Sequence, residues 1–182
     1  MSVNVTVGDV LVLQPEPVQA VQSLDSRTDF SRWVQPHWTA MSALAARTGP
    51  DAEDVLQEAL TQAWRKRRQF DPVRGSARNW LLAITADQRR KYWRRSAARL
   101  ETTGAATLEL GSADSAAEHR LDLERAIAGL SKRQGLAVEL HYYLGLPVND
   151  IAQVMRCSPG TVKSTLADAR TRLLHHLGKD YR

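Results

Sequence analysis

The sequence is poor in the residues and runs that build disulfides, membrane spans and export signals. Its single cysteine, Cys157, excludes an internal disulfide and a cysteine-rich metal site. No apolar run approaches the roughly 18 residues of a membrane-spanning helix. No Lys or Arg precedes Arg27, which argues against a secretory signal. We therefore expect a cytoplasmic protein that makes no membrane contact.

Groups that carry enzymatic chemistry are also scarce. None of the histidines stands with a cysteine or carboxylates at a recognised metal-ligand spacing. The chain has no glycine-rich phosphate loop and no nucleophile elbow. The sequence therefore predicts a protein that is not an enzyme and has no catalytic residue, no metal and no cofactor. The histidines are His37, His119, His141, His175 and His176.

Positive charge is abundant but unevenly distributed. The formal net charge is +5 at pH 7 and the pI is about 9.7, which suits an anionic partner without identifying one. Residues 65–99 contain 12 Lys or Arg against 2 Asp or Glu, and residues 131–182 contain 8 against 4. Residues 1–64 and 100–130 are net acidic. Two basic blocks separated by an acidic stretch indicate a chain that contacts nucleic acid at two places.

Apolar residues recur at spacings of three and four through most of the chain, which predicts an all-α fold. The first predicted helix begins near residue 29 and runs unbroken to residue 45, with Phe30 and Trp38 on its apolar face. Asp51 is predicted to cap a second helix, and Ser76 a third that ends near Arg95.

The helical segments group into two small domains. Residues 1–25 have no pairing partner for their alternating valines, and we expect them to form a mobile extension. Residues 26–96 form the first domain, and residues 121–182 form the second. Residues 97–120 are rich in Ala, Ser, Thr and Gly, which predicts a flexible linker between the domains.

The second domain contains a helix-turn-helix pattern. Ala152 places a small side chain in the middle of the first helix, where a second helix crosses closely. Ser158 is suited to cap the second helix, and Pro159 falls at its first position, where a missing N–H is harmless. The apolar contacts between the two helices are predicted to come from Ile151, Val154, Val162 and Leu166. The residues expected to stay exposed at the start of the second helix, the end that enters the major groove, are Thr161, Lys163, Ser164 and Thr165.

Polar residues form one stripe along the second helix of the first domain. Asp54, Gln57, Glu58 and Thr61 follow a three-and-four spacing opposite the apolar face. An ordinary solvated face and a docking surface for a basic partner helix both fit this pattern. Acid–base catalysis does not, because no His, Ser or metal-ligand set accompanies the carboxylates.

The third helix concentrates cations among aromatic residues. Clustered cations attract phosphates, and aromatic rings offer stacking surfaces for unpaired bases. Five like charges in seven positions repel one another without a polyanion, which favours a nucleic-acid surface over an ordinary basic helix. A second cluster at residues 65–68 fits either nucleic acid or a helix C-terminus complementing its dipole. The third-helix cluster comprises Arg89, Arg90, Lys91, Arg94 and Arg95, with Tyr92 and Trp93 between them.

These pieces together resemble the extracytoplasmic-function (group IV) sigma factors, the compact form of the sigma-70 family that keeps only its second and fourth domains. The similarity spans roughly residues 29–178. In the first domain it is carried by Asp51-Ala52-Glu53-Asp54-Val55-Leu56-Gln57-Glu58, Ala63-Trp64, Phe70-Asp71-Pro72, Arg74-Gly75-Ser76 and Trp80-Leu81. In the second it is carried by Leu130-Ser131, Arg133-Gln134, Asp150-Ile151-Ala152 and Cys157-Ser158-Pro159-Gly160-Thr161-Val162-Lys163-Ser164.

The resemblance implies a specificity subunit that binds core RNA polymerase and directs promoter recognition and melting. Asp54, Gln57, Glu58 and Thr61 would dock on the clamp helices of the β′ subunit, and the second domain would meet the β flap. Promoter DNA is the second implied partner, and an anti-sigma factor a third. The residues implied for the −10 element are Arg74, Ser76, Arg78, Asn79, Arg89, Arg90, Lys91, Tyr92, Trp93, Arg94 and Arg95. Those implied for the −35 element are Ser158, Thr161, Lys163, Ser164, Thr165 and Arg170.

Three positions depart from the family pattern. Thr165 stands where the family usually has Arg, and Asp168 stands where it often has Arg. The loss of these positive charges predicts weaker contact between the recognition helix and the DNA backbone. Pro147 stands where a capping Ser is usual, so Leu146 is expected to act as an N-cap without a side-chain acceptor.

Two other kinds of protein share some of these features. One is a helix-turn-helix regulator of the response-regulator type, which would need a sensing or phosphoacceptor domain where this chain has residues 29–97. The other is a polymerase-binding adaptor that uses the acidic face but reads no promoter.

Overall fold

The computed structural model describes residues 24–103 and 126–177. Within these ranges the chain forms helices and turns without a strand, so the predicted all-α fold is confirmed. Residues 1–23, 104–125 and 178–182 lie outside the described residues, and they include most of the predicted extension and of the predicted linker.

The first domain contains four α-helices. They are α1 (Arg27–Val34), α2 (Trp38–Ala46), α3 (Ala52–Lys66) and α4 (Ala77–Thr103). The prediction of one continuous helix through residues 29–45 is wrong, because a 3-10 turn at Gln35–His37 separates α1 from α2. Pro36 lies in this turn and has no N–H for an α-helical bond. The change in direction leaves Trp38 47% exposed, although it was assigned to the apolar face.

A cluster of aromatic side chains packs together in this domain. The Phe30 and Trp64 rings meet edge to face with centroids 5.3 Å apart, and Trp33 lies between Phe70 and Trp80 at 5.1 and 5.8 Å. These contacts join α1, α3 and α4 through the loop that follows α3. Trp80 is thereby packed against the apolar core.

The two predicted caps of this domain differ in outcome. The Ser76 hydroxyl accepts a hydrogen bond from the Asn79 N–H at 3.1 Å, as predicted for the N-cap of α4. Asp51 precedes α3 but makes no side-chain cap. Its carboxylate instead accepts a hydrogen bond from the Tyr92 hydroxyl, which ties the start of α3 to α4. The α4 helix also continues past the predicted end at Arg95, so residues 97–103 of the predicted linker are helical.

The second domain carries α5 (Lys132–Val138), a π-helical turn at Glu139–Tyr143, α6 (Val148–Met155) and α7 (Pro159–Leu177). Ser131 and Gln134 form a reciprocal capping box at the start of α5. The N-cap of α6 is Pro147 rather than the predicted Leu146, whose side chain is buried.

The helix-turn-helix packs as predicted. Arg156 ends α6 in the left-handed conformation, with φ of 52°, and its N–H bonds to the carbonyls of Ala152 and Gln153. Ser158 then caps α7 by accepting a hydrogen bond from the Thr161 N–H at 3.1 Å. The predicted contact residues are all buried; they are Ile151, Ala152, Val154, Val162 and Leu166.

The two domains pack against each other, with α4 of the first lying along α6 of the second. Buried side chains of both domains belong to one continuous apolar cluster, which includes Leu82 on α4 and Met155 on α6. The sequence predicted two domains on a flexible tether and did not predict this contact.

Candidate functional site

The polar stripe on α3 is open to solvent. Asp54, Gln57 and Glu58 are exposed and Thr61 is partly buried, whereas the opposite face of the helix is buried in the core. The Glu58 carboxylate accepts a hydrogen bond from the Gln62 side chain at 3.1 Å. Within the described ranges, neither Asp54 nor Glu58 forms an ion pair. Two unneutralised carboxylates on one rigid helix face make a surface suited to a cationic partner.

The residues predicted for the −10 element fall into two groups. The first group faces solvent and comprises Arg74, Ser76, Arg90, Arg94 and Arg95. Arg74 lies in the turn between α3 and α4, where the Asp71 carboxylate accepts a hydrogen bond from the Val73 N–H at 2.9 Å. Val73 at the tip is 93% exposed, so this turn presents a projecting apolar side chain beside a cation.

The second group is directed at the other domain. Arg78 donates a hydrogen bond to the Leu144 carbonyl at 2.8 Å, and the Asn79 amide donates to the Gln153 side chain at 3.0 Å. Asn79 is buried. In this arrangement both side chains bond to the second domain and Arg78 is partly buried, so neither is free for the DNA contact that was predicted for it.

Arg89 departs furthest from its prediction. Its side chain is buried, with the residue 1% exposed, and its guanidinium forms a two-pronged ion pair with Glu139 of the second domain. Arg47 approaches the same carboxylate at 3.7 Å. The predicted cluster of five uncompensated cations is therefore wrong, because Arg89 pairs with Glu139 and Arg90 pairs with Asp87.

The aromatic residues of α4 are engaged by neighbouring polar groups. Tyr92 is partly buried and donates its hydroxyl proton to Asp51. The Trp93 ring is approached by the Arg89 guanidinium at 4.5 Å and by the Lys132 ammonium at 5.6 Å. Lys91, which precedes Tyr92 in the chain, is partly buried. Tyr92 and Trp93 are thus partly buried and already hold contacts with an acceptor carboxylate and with cations of the protein.

The start of α7 presents the polar surface expected of a recognition helix, with one exception. Ser158, Lys163, Ser164 and Arg170 are exposed, and Thr161 is partly exposed. Thr165 is only 8% exposed, and its hydroxyl donates to the Thr161 carbonyl at 2.7 Å. The prediction that Thr165 stays exposed is therefore wrong, because its side chain lies on the buried side of α7 and bonds to the backbone of its own helix. Asp168 is exposed.

The basic residues at 65–68 have local partners. The Arg67 guanidinium stacks on the Trp64 ring at 3.8 Å and donates to the Leu24 and Trp64 carbonyls. Arg68 pairs with Asp25 at 2.9 Å. Of the two interpretations left open for this cluster, the helix C-terminus interpretation fits these two residues.

Three functional neighbours were missed from the sequence, and all belong to the second domain. Glu139 pairs with Arg89, 50 residues away in the chain. The Gln153 side chain accepts a hydrogen bond from Asn79, 74 residues away, and the Leu144 carbonyl accepts one from Arg78, 66 residues away. The only local signal was the acidic Glu139 within an otherwise apolar stretch, which predicts that a buried partner exists but not which one.

Two further findings concern the described part of the chain alone. It holds no group of three or more His, Cys, Asp or Glu side chains placed to bind a metal ion. None of its helices combines the length and apolar character needed to cross a membrane.

Comparison with known proteins matches both domains. Residues 30–99 match the family model of sigma-70 region 2, and residues 120–173 match that of sigma-70, region 4. The chain is 30% identical to the ECF RNA polymerase sigma factor SigK of Mycobacterium ulcerans, over 79% of this chain and 82% of that protein. It is 36% identical to SigC of Mycobacterium tuberculosis over 68% of each chain. The sigma factor RpoE of Bartonella quintana, solved with the anti-sigma factor NepR, superposes with a TM-score of 0.67 at 26% identity, over 84% of this chain and 99% of that one.

Proposed function

The chain belongs to the extracytoplasmic-function group of the sigma-70 family, and from this membership we propose which of its surfaces serve each step of transcription initiation. It is a sigma factor, a subunit that directs RNA polymerase to promoters. The observation that carries the assignment of surfaces is the presence of three separate polar faces on one scaffold. They are the acidic stripe of α3, the basic face of α4 and the polar start of α7.

The acidic stripe is the docking surface for core polymerase. Its carboxylates at Asp54 and Glu58 are exposed and lack an ion-pair partner in the described residues. They stand on a helix whose other face is locked into the core. A basic helix such as the β′ clamp would gain charge-assisted contacts there without distorting the domain.

The two DNA-binding faces contact different promoter elements. Arg74 and the exposed cations of α4 would hold the −10 strand, whose unstacking costs a few kcal/mol per extruded base. Ser158, Thr161, Lys163, Ser164 and Arg170 would contact the −35 element in the major groove. The second domain would also meet the β flap, which keeps the two faces at promoter spacing. Thr165 contributes packing to this helix rather than a base contact.

The domains must separate before the −10 residues work together. Arg78, Asn79 and Arg89 are engaged by the second domain in the described arrangement. They become available only when the second domain moves away from α4. We infer that polymerase binding favours this separation, because the two docking sites on the core hold the domains apart.

Two narrower statements belong to the same proposal. The chain has no catalytic activity of its own and acts in the bacterial cytoplasm, where polymerase and chromosome are located. An anti-sigma factor is a further partner of this chain, by analogy with the Bartonella RpoE that was solved with NepR.

Run-off transcription with purified core polymerase tests the function directly. Core enzyme plus this chain should initiate from a subset of promoters of its own genome, and core enzyme alone should not. Failure to initiate on every such promoter would contradict the proposal. A helix-turn-helix regulator would instead change initiation only when another sigma factor is present, and an adaptor would bind core without initiating.

A charge-removal variant tests the docking surface. The Asp54→Ala, Glu58→Ala variant should bind core about tenfold or more weakly, corresponding to the roughly 1.5 kcal/mol or more that close interfacial charge pairs contribute. Asp168→Ala removes an exposed carboxylate from the other domain and should leave core affinity unchanged. Equal core affinity of the double variant and the parent protein would remove the docking assignment.

A further inference from the structure

A cavity of about 660 Å³ lies between the two domains, and its walls are cationic. The first domain contributes residues from the end of α3 and from α4, and the second contributes residues from α5 and from the end of α6. Among the residues that the structure describes, Asp87 is the only carboxylate of the lining. The cations, apart from the already paired Arg89, are Lys66, Arg90, Lys91, Arg94, Lys132, Arg133 and Arg156. We call this cavity the cationic cleft.

Most of the positive charge in the cationic cleft has no ion-pair partner among the described residues. Asp87 is shared between Arg90 and Arg156, with the latter contact at 3.0 Å. Within the described ranges, Lys66, Lys91 and Arg94 form no ion pair, and neither does Arg133. The carboxylate of Glu139 is taken by Arg89 and Arg47.

The contact between the domains therefore brings like charges from both sides around one space. Unpaired like charges this close repel, which opposes the hydrogen bonds and apolar contacts that join α4 to α6. An anion in the cationic cleft would replace this repulsion with attraction to both domains at once. The arrangement is thus more stable with an anion bound than without one.

The lining also indicates the class of anion. Phosphate groups suit Arg and Lys because they offer several charged acceptor oxygens, which Arg contacts in pairs. The volume is that of a small-molecule site. Trp93 is the one aromatic residue that the described part of the chain contributes to the lining, and its ring already lies against Arg89 and Lys132. Recognition through phosphate charge, without selection of a base, fits these contacts.

We propose that the cationic cleft binds a small phosphate-rich anion, of the class of inorganic triphosphate or the triphosphate chain of a nucleotide, and that this anion holds the two domains together. The effect that anion binding would have on promoter recognition rests on the proposed function. Arg90, Lys91 and Arg94, which would hold the melted strand, are then occupied by the anion. A ligand that binds only the joined arrangement shifts the chain toward it.

Calorimetric titration of the full-length protein with inorganic triphosphate tests the site. We expect one triphosphate per chain at low salt, with affinity that falls as salt is raised. Because triphosphate is read by charge, ATP and GTP should bind with affinities within about threefold of it. Absence of binding at low salt, or strong preference for one base, would overturn the proposal.

Paired variants locate the binding site. The Lys132→Gln, Arg133→Gln variant removes two exposed cations from the second domain and should weaken triphosphate binding about tenfold or more. Arg27→Gln with Arg172→Gln removes the same charge from exposed positions outside the lining and should bind as the parent does. Lys91→Gln, on the first domain, should also weaken triphosphate binding, and this variant leaves α5 unchanged. Equal losses in the cleft variant and the remote variant would show that binding is nonspecific and would overturn the site.

Distance measurements test the bridging of the domains. Spin labels at Thr28→Cys and Thr171→Cys, in a Cys157→Ser background, report the separation of the two domains. Triphosphate should narrow the distribution toward the joined arrangement in the parent but not in the Lys132→Gln, Arg133→Gln variant. Binding without a change in the distribution would overturn the bridging role. Neither measurement uses polymerase or promoter, so its failure is distinct from a failure of run-off transcription.

Discussion

Lys163 and Thr165 lie two residues apart on α7, and their side chains differ in exposure to solvent. Successive residues of an α-helix are about 100° apart, so positions separated by two point to nearly opposite sides. Lys163 is exposed, whereas Thr165 is buried with its hydroxyl bonded to the Thr161 carbonyl. The departure from the family at Thr165 therefore affects the packing of the recognition helix more directly than its charge toward DNA.

We expect Lys163→Ala to weaken −35 binding and to lower the slope of log affinity against log salt by about one, the signature of a lost phosphate contact. The measurement is binding of the full chain to −35 duplex at several salt concentrations. Thr165→Val, nearly isosteric and without the hydroxyl, is the control and should leave the slope unchanged. An unchanged slope for Lys163→Ala would mean that this lysine does not contact the backbone.

At the scale of the element, α4 carries residues proposed to contact the −10 element and also residues that contact the second domain. Its N-cap at Ser76 lies among the residues predicted to contact the −10 element, and its middle carries the contacts to α6. The Ser76 hydroxyl is already used as the acceptor for the Asn79 N–H. Its structural role and its proposed DNA role are therefore separable by substitution.

Ser76→Ala should lower the free energy of unfolding by about 1 kcal/mol, because one N–H at the start of α4 loses its acceptor. Ser76→Asp retains a capping acceptor, so the stability should be recovered. The added negative charge should weaken binding to −10 DNA. Chemical denaturation and DNA binding measured on both variants check the two effects. Equal stability of Ser76→Ala and Ser76→Asp would contradict the capping role.

At the scale of the whole molecule, a buried ion pair joins the two domains across their contact. Arg89 and Glu139 are 1% and 8% exposed, and the charge of each is compensated mainly by the other. Removing one partner of a buried pair strands the other charge in a poorly solvated place. Separation of the domains relieves that penalty because both groups then reach water.

Glu139→Gln should therefore weaken the contact between domains by about 3 kcal/mol and shift the chain toward separated domains. The spin-label distance distribution, or hydrogen exchange along α6, measures the shift. Asp168→Asn, which neutralises an exposed carboxylate on the same domain, should leave the distribution as it is. A Glu139→Gln protein that stays joined would show that apolar packing, not the ion pair, holds the domains together.

The local features that the sequence predicted correctly depend on neighbours within a few residues. The caps at Ser76 and Ser158 and the buried contacts of the helix-turn-helix follow from short-range hydrogen bonding and helical periodicity. Errors in these local predictions occurred where another constraint, local or distant, overrode the pattern. At Pro36 the missing N–H overrode a continuous apolar pattern, and at Asp51 a distant tyrosine took the carboxylate from its cap.

The sequence by itself determined the helices, the helix-turn-helix, the charge blocks and the family, because periodicity, capping and motif spacing are properties of adjacent residues. Only the tertiary structure decided which of the predicted DNA-contacting residues are open. Arg78, Asn79 and Arg89 meet partners more than 49 residues away in the chain. No local pattern specifies such partners, because burial and charge compensation depend on how α4 and α6 pack together.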